Sequence, residues 1–169
     1  MTAVSRLSPE PGAGRADHVV TTWVGLLRAH AKLTRELNAS LLADHGLTVN
    51  DYEVLLLLAR APQRRLRRVD LSGRLLLTAS GITRLLEGLE RLGHVTRASC
   101  PSDGRVVYAE LTDEGLARLR EASGTHIADL YEVFESRFRD DELGTLAGLL
   151  ARLGDDPPAD AGACSAPRP

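Results

Sequence analysis

The residues with the most chemical potential stand close together in the middle of the chain. Thr78, Ser80, Thr83 and Arg84 open one helical pattern, and Arg97 and Arg105 flank a turn shortly after it. Hydroxyls both donate and accept, and a guanidinium donates in a rigid fork, so these groups at the N-terminal end of a helix suit base edges and phosphates in a groove wide enough to admit that helix. Arginines on a projecting hairpin match the negative potential of an adjacent minor groove. Between Arg60 and Arg105 ten arginines stand against only the acids Asp70, Glu87, Glu90 and Asp103, although the whole chain carries −2. A basic centre in an acidic remainder points to a face for a polyanion, the plain alternative being a solvated charged surface.

The elements that must position these groups follow from periodicity. With 169 residues the chain has one domain's worth of material, and at 43% apolar, 26% charged and 4% aromatic its core is built from Leu, Val and Ala. The Pro/Gly/Ala-rich ends, residues 1–16 and 154–169, read as disordered tails. A first helix is expected from about Asp17 to Ala43, its stripe running through Val20, Trp23, Val24 and Leu27 to Leu33, Leu37 and Leu41, with Gly46 stopping it after His45. Thr48 and Asp51 form a capping box before the apolar helix that follows. Ala61-Pro62 ends that helix, and a third is expected over about Arg68–Leu76. Thr78 caps a fourth, about Ala79–Leu92, whose Ile82, Leu85, Leu86 and Leu89 follow 3.6 spacing and leave Ser80, Thr83, Arg84, Glu87 and Arg91 on other faces. Residues 94–99 and 105–111 alternate as strands around Cys100-Pro101-Ser102-Asp103-Gly104, a hairpin turn. Thr112 opens a long helix with Ile127, Leu130, Tyr131, Phe134 and Phe138 on its stripe, and a last helix is expected over about Asp141–Leu153. The fold class is therefore mainly α with a small β-hairpin wing: a winged helix-turn-helix over about 48–112, flanked by helical regions 17–45 and 113–153.

This pattern resembles the MarR family of winged helix-turn-helix transcriptional regulators. The resemblance rests on Gly46-Leu47-Thr48, Asp70-Leu71, Thr83-Arg84-Leu85-Leu86 with Leu89-Glu90 and Gly93-His94-Val95, then Asp103-x-Arg105 and Leu111-Thr112-x-x-Gly115, and covers about 17–153. The wing motif with the Leu-Thr-x-x-Gly that follows it is the most specific part. The resemblance implies a homodimer on a pseudo-palindromic double-stranded DNA operator, often a repressor relieved by a small aromatic or anionic effector. The end helices carry apolar stripes that a small central motif could cover only partly, which argues independently for a partner copy, against a monomer whose end helices cover its own core. Gly104 and Gly88 stand where the family often has basic residues, so fewer phosphate contacts are expected.

Other residues carry two readings each. Asp103 holds either the wing arginine or the turn backbone. The cluster Arg64, Arg65, Arg67 and Arg68 meets phosphate or pairs with acids and backbone. Trp23 and His30 line an effector pocket or belong to the core. Cys100 is an incidental thiol or, beside Arg97 and Arg105, a redox switch. Cys100 and Cys164 make neither a disulfide framework nor, with the five histidines, a metal site, so no metal or cofactor is expected. No run approaches a membrane span and no secretion signal opens the chain, so the expected location is the cytoplasm. A winged protein-interaction module is the competing function. An enzyme is not expected, since no phosphate loop, carboxylate pair or nucleophile set is present.

Overall fold

The computed structural model describes residues 13–75, 77–100 and 103–153, with side chains at 17–75, 77–99 and 106–153. In chain order its elements are α1 (Ala13–His45), α2 (Val49–Arg60), β1 (Arg65–Arg67), α3 (Arg68–Arg74), α4 (Ala79–Arg91), β2 (Val95–Cys100), β3 (Asp103–Leu111), α5 (Asp113–Glu135) and α6 (Asp140–Ala151). The chain divides after Glu36 into two units. In the first, α1 presents Val19, Val20, Trp23, Leu26 and Leu27 to solvent. The second holds the end of α1 and everything after it.

Within the second unit the core is one cluster in which Leu41, Leu47, Val54, Leu55, Leu58, Leu71, Ile82 and Leu89 are fully buried. The capping box is present: the Thr48 N–H donates to Asp51 Oδ2 at 2.8 Å and the Asp51 N–H to Thr48 Oγ1 at 3.1 Å. Just before it, Gly46 takes φ of +66°, the left-handed turn that a glycine makes without steric cost. Asn38 Oδ1 accepts from the Val49 N–H at 2.7 Å, so the end of α1 and the start of α2 share a bond.

The sheet differs from the expected hairpin by one strand. β1 pairs antiparallel with β3, giving the order β1-β3-β2, and Leu66 lies opposite Ala109. Three residues with a single apolar side chain between arginines carry almost no strand signal; what makes them a strand is the unpaired edge of β3, which they satisfy. The basic cluster Arg64–Arg68 is thus partly a structural element. It is reached through a turn at Pro62–Arg64 in which Gln63 and Arg64 both have positive φ. β2 and β3 also run further toward the hairpin tip than expected, with Cys100 paired to Asp103 after a register shift at Ser99.

The tightest approach joins the turn after α4 to the first turn of α5. Thr112 caps α5 by accepting from the Gly115 N–H at 2.9 Å, and its hydroxyl donates to the Gly93 carbonyl at 2.7 Å. The Thr112 N–H donates to the His94 carbonyl at 3.1 Å. A Cβ on residue 115 would stand 2.1 Å from that carbonyl oxygen, so only glycine fits. Gly88 on α4, by contrast, has open space with only an Arg91 Nη2 at 3.9 Å. Gly115→Ala is expected to destabilise the fold by about 3 kcal/mol, the upper range for a clash that neither backbone can relieve. Gly88→Ala is expected to stabilise it by about 0.8–1 kcal/mol through helix propensity. Urea denaturation of the two variants checks both signs.

Candidate nucleic-acid interface

The interface is built on α4, a helix with two sharply different faces. Ile82, Leu86 and Leu89 are buried, and Ser80, Arg84, Glu87 and Arg91 are exposed. Its N-terminus is set by Thr78, whose Oγ1 accepts from the Gly81 N–H at 3.1 Å and lies 3.1 Å from Ser80 Oγ. The turn from α3 is held by Ser72, whose hydroxyl donates to the Leu77 carbonyl at 2.6 Å. This bond fixes the entry of α4 without drawing on the exposed hydroxyls.

The hydroxyls are not equally free. Thr83 donates to the Ala79 carbonyl at 2.7 Å, the usual way a threonine in mid-helix settles its proton, and accepts from Arg68 Nη1 at 3.4 Å. Thr83 therefore has less left to offer than Ser80. Arg84 is exposed, and among the described residues its side chain makes no hydrogen bond or ion pair. Thr78, Ser80, Thr83 and Arg84 are brought together at one end of one helix.

The other arginines divide by partner. Arg67 forms a fork on Asp70, with Nε to Oδ2 at 2.7 Å and Nη2 to Oδ1 at 2.9 Å, and this pair closes the first turn of α3. Arg64 pairs with Asp113 at 2.8 Å. Arg65 lies over the Tyr108 ring, 5.1 Å from its centroid. Arg97 on β2 donates from Nε to Glu90 at 2.6 Å and lies 3.9 Å from Glu87, and these two acids hold its guanidinium pKa above the ordinary value. Arg68 is the cluster member that reaches α4. Its placement beside Thr83 had no signal in the sequence beyond its charge, because the approach of α3 to α4 is a tertiary contact. The Arg67–Asp70 pair had one, the i,i+3 spacing.

Asp103, Arg105 and Cys100 lie at the wing tip, where the side chains fall outside the described residues, so their expected roles rest on the sequence alone. Trp23 and His30 both stand exposed on α1, seven residues apart and hence on one side of the helix. Among the described residues no group of three or more His, Cys, Asp or Glu side chains is placed to hold a metal, and no helix is long and apolar enough to cross a membrane. Between α3, α4 and the sheet lies a cavity of about 280 Å³, lined among others by Arg67, Arg68, Glu90 and Arg97 and by Val69, Val107 and Tyr108.

Two histidines sit where the α4–wing lobe meets its support. His94 has its Nδ1 buried without a hydrogen-bond partner among the described residues; burial lowers its pKa below 6.5, and Arg118 lowers it further against the opposing pull of Asp51 and Glu114. His126 on α5 packs against Tyr52 of α2 with ring centroids 4.6 Å apart, and burial lowers its pKa against the pull of Asp129. In both, the surroundings disfavour the charged ring. The unfolded chain binds protons at these sites first, so their contribution is present above about pH 6.5 and is lost as pH falls from there through the lowered folded values. Acid titration of the folding free energy is expected to show this loss, and His126→Leu is expected to flatten part of the slope.

A family model described as MarR family matches residues 45–106. The HTH-type transcriptional repressor YetL of Bacillus subtilis is 35% identical over 111 residues, which cover 66% of this chain and 66% of that repressor. An uncharacterised HTH-type transcriptional regulator of the same organism, YkoM, is 32% identical over 135 residues, 78% of this chain and 85% of that protein. Among solved structures, Sco3205, a MarR family transcriptional regulator from Streptomyces coelicolor in complex with DNA, superposes with a TM-score of 0.73 at 30% identity, over 79% of this chain and 86% of the other.

Proposed function

The chain belongs to the MarR family of winged helix-turn-helix transcriptional regulators, and on that premise we propose that it is a homodimeric repressor binding a pseudo-palindromic double-stranded DNA operator in the cytoplasm. The observation that carries this reading is α4 itself. Its apolar face is buried, its N-terminus is capped by Thr78, and the exposed Ser80 and Arg84 share that end with Thr83. A helix entering the major groove presents these first-turn groups to base edges, where an arginine fork on guanine is the commonest specific contact. Arg68 adds positive charge beside Thr83, and Arg105 at the wing tip is the candidate for the minor groove, with Asp103 holding it or the turn. Regulation by binding, not catalysis, is the activity.

Two copies are needed to read a palindrome. In the second unit Ile127 and Tyr131 on α5 and Leu149, Leu150 and Leu153 near the chain end are exposed, more apolar surface than a lone protomer usually leaves open. The apolar residues exposed on α1 support the same assembly from the first unit. Relief by a small aromatic anion belongs to this reading: the cavity beside α4 sets Arg68, which suits a carboxylate, among Val69, Val107 and Tyr108, which suit a ring. Trp23 and His30 remain the alternative location for such an effector.

Because Arg64, Arg65 and Arg67 are engaged within the fold, they add little to phosphate neutralisation, and the salt dependence of binding is expected to be shallower than the arginine count implies. Arg84→Ala is expected to lower affinity for a duplex selected from random sequence about 5- to 150-fold, the equivalent of about 1–3 kcal/mol for a fork on a base, with an unchanged melting curve. Wild-type affinity in that variant contradicts the assignment of α4 as the reading helix. Ile127→Asp with Tyr131→Asp is expected to shift the sedimentation profile from dimer to monomer.

A further inference from the structure

Arg97 sits on the wing, yet its guanidinium is turned toward α4. Nε donates to Glu90 Oε1 at 2.6 Å, and Nη2 lies 3.9 Å from Glu87 Oε1. Glu87 and Glu90 are three residues apart and so share the side of α4 that faces the wing root. Two carboxylates on a helix that approaches DNA repel its phosphates unless a cation answers them, and Arg97 is the cation placed to do so. Reaching a phosphate would require Arg97 to leave both acids. Its position on the strand adds leverage: residue 97 stands in β2 (Val95–Cys100), opposite Ala109 of β3, several residues short of the tip, so its hold on α4 sets the angle at which the outer wing projects.

We propose that Arg97, with Glu90 and Glu87, is a positioning residue: a clamp that fixes the wing to the reading helix, leaving contact with DNA from the wing to its tip. This rests on the DNA-binding reading above and deepens it by separating the two wing arginines. The clamp makes an unusual demand on charge. Removing an acid from a DNA-facing helix ordinarily tightens binding, whereas removing Glu90 here frees the wing and should weaken it.

The test measures Glu90→Gln, Arg97→Gln and the double variant in full-length protein. Affinity is read over a range of salt concentrations on a duplex selected from random sequence by the wild type. Amide hydrogen exchange in β2 and β3 is read without DNA. Each single variant is expected to bind about threefold more weakly, in line with one exposed ion pair. The salt slope is expected to stay unchanged, and the double variant to be no weaker than either single, because all three lose the same interaction. Both singles are expected to speed exchange along the hairpin. Tighter or unchanged binding by Glu90→Gln overturns the clamp, as does a salt slope lowered by about 0.9 in Arg97→Gln, the sign of a lost phosphate contact. If the wild type selects no duplex, the DNA-binding reading fails, and the exchange comparison alone still decides whether Arg97 holds the wing.

Discussion

One constraint governs the rest of the molecule: α4 must bury one face completely so that the other can be spent on a partner. Ile82 and Leu89 are fully buried and Leu86 nearly so, in the same cluster as Val54, Leu55 and Leu58 of α2. Each such side chain contributes about 1.5–3 kcal/mol relative to leaving it in water, enough to hold a 13-residue helix that propensity alone would not keep. With the orientation of α4 set by packing, the polar residues at its start, Ser80 and Arg84, are not needed to hold the helix in place, while Glu87 and Glu90 further along it meet Arg97. Ser80 and Arg84 are exposed for that reason, not by chance.

The same helix is tied down at both ends by different means. At its start, Thr78 and Ser72 settle the turn with short hydrogen bonds. At its finish, the turn through Gly93 and His94 is pressed against Thr112 and Gly115. At the second joint the first turn of α5, a helix that also carries exposed apolar residues, touches the backbone following α4. A displacement of α5 has little freedom to leave α4 where it was. The half-buried His94 lies in this same turn, and the buried His126 further along α5.

Charge is distributed with similar economy. The basic segment looks uniform as a string, yet Arg64, Arg65, Arg67 and Arg97 each have a protein partner, an acid or the Tyr108 ring. Exposed pairs of this kind contribute little stability each. Their effect here is geometric: they join β1 to α3, the loop before β1 to α5, and β2 to α4. The cations left to meet a polyanion are fewer, and among them Arg68, Arg84 and Arg91 lie on or against α4.

Much of this was legible in the residues alone. The helices, the Thr48–Asp51 box, the Thr78 cap, the buried stripe of α4 and the hairpin followed from periodicity and capping, because those signals are local and each element's own side chains supply them. The family resemblance came from short motifs in the same segments. What the residues could not show were contacts between segments distant in sequence: β1 as a third strand, Gly115 against the His94 carbonyl, Arg68 beside Thr83, and Arg97 turned to Glu90 instead of outward. An arginine reads the same in a string whether it faces a phosphate or a carboxylate. The sequence by itself determined the helices, the β2–β3 hairpin and which residues open α4; the third strand and the partner of each charged group were decided only by tertiary structure, since strand pairing and ion pairs depend on where two backbones come to lie and not on the identity of the side chains alone.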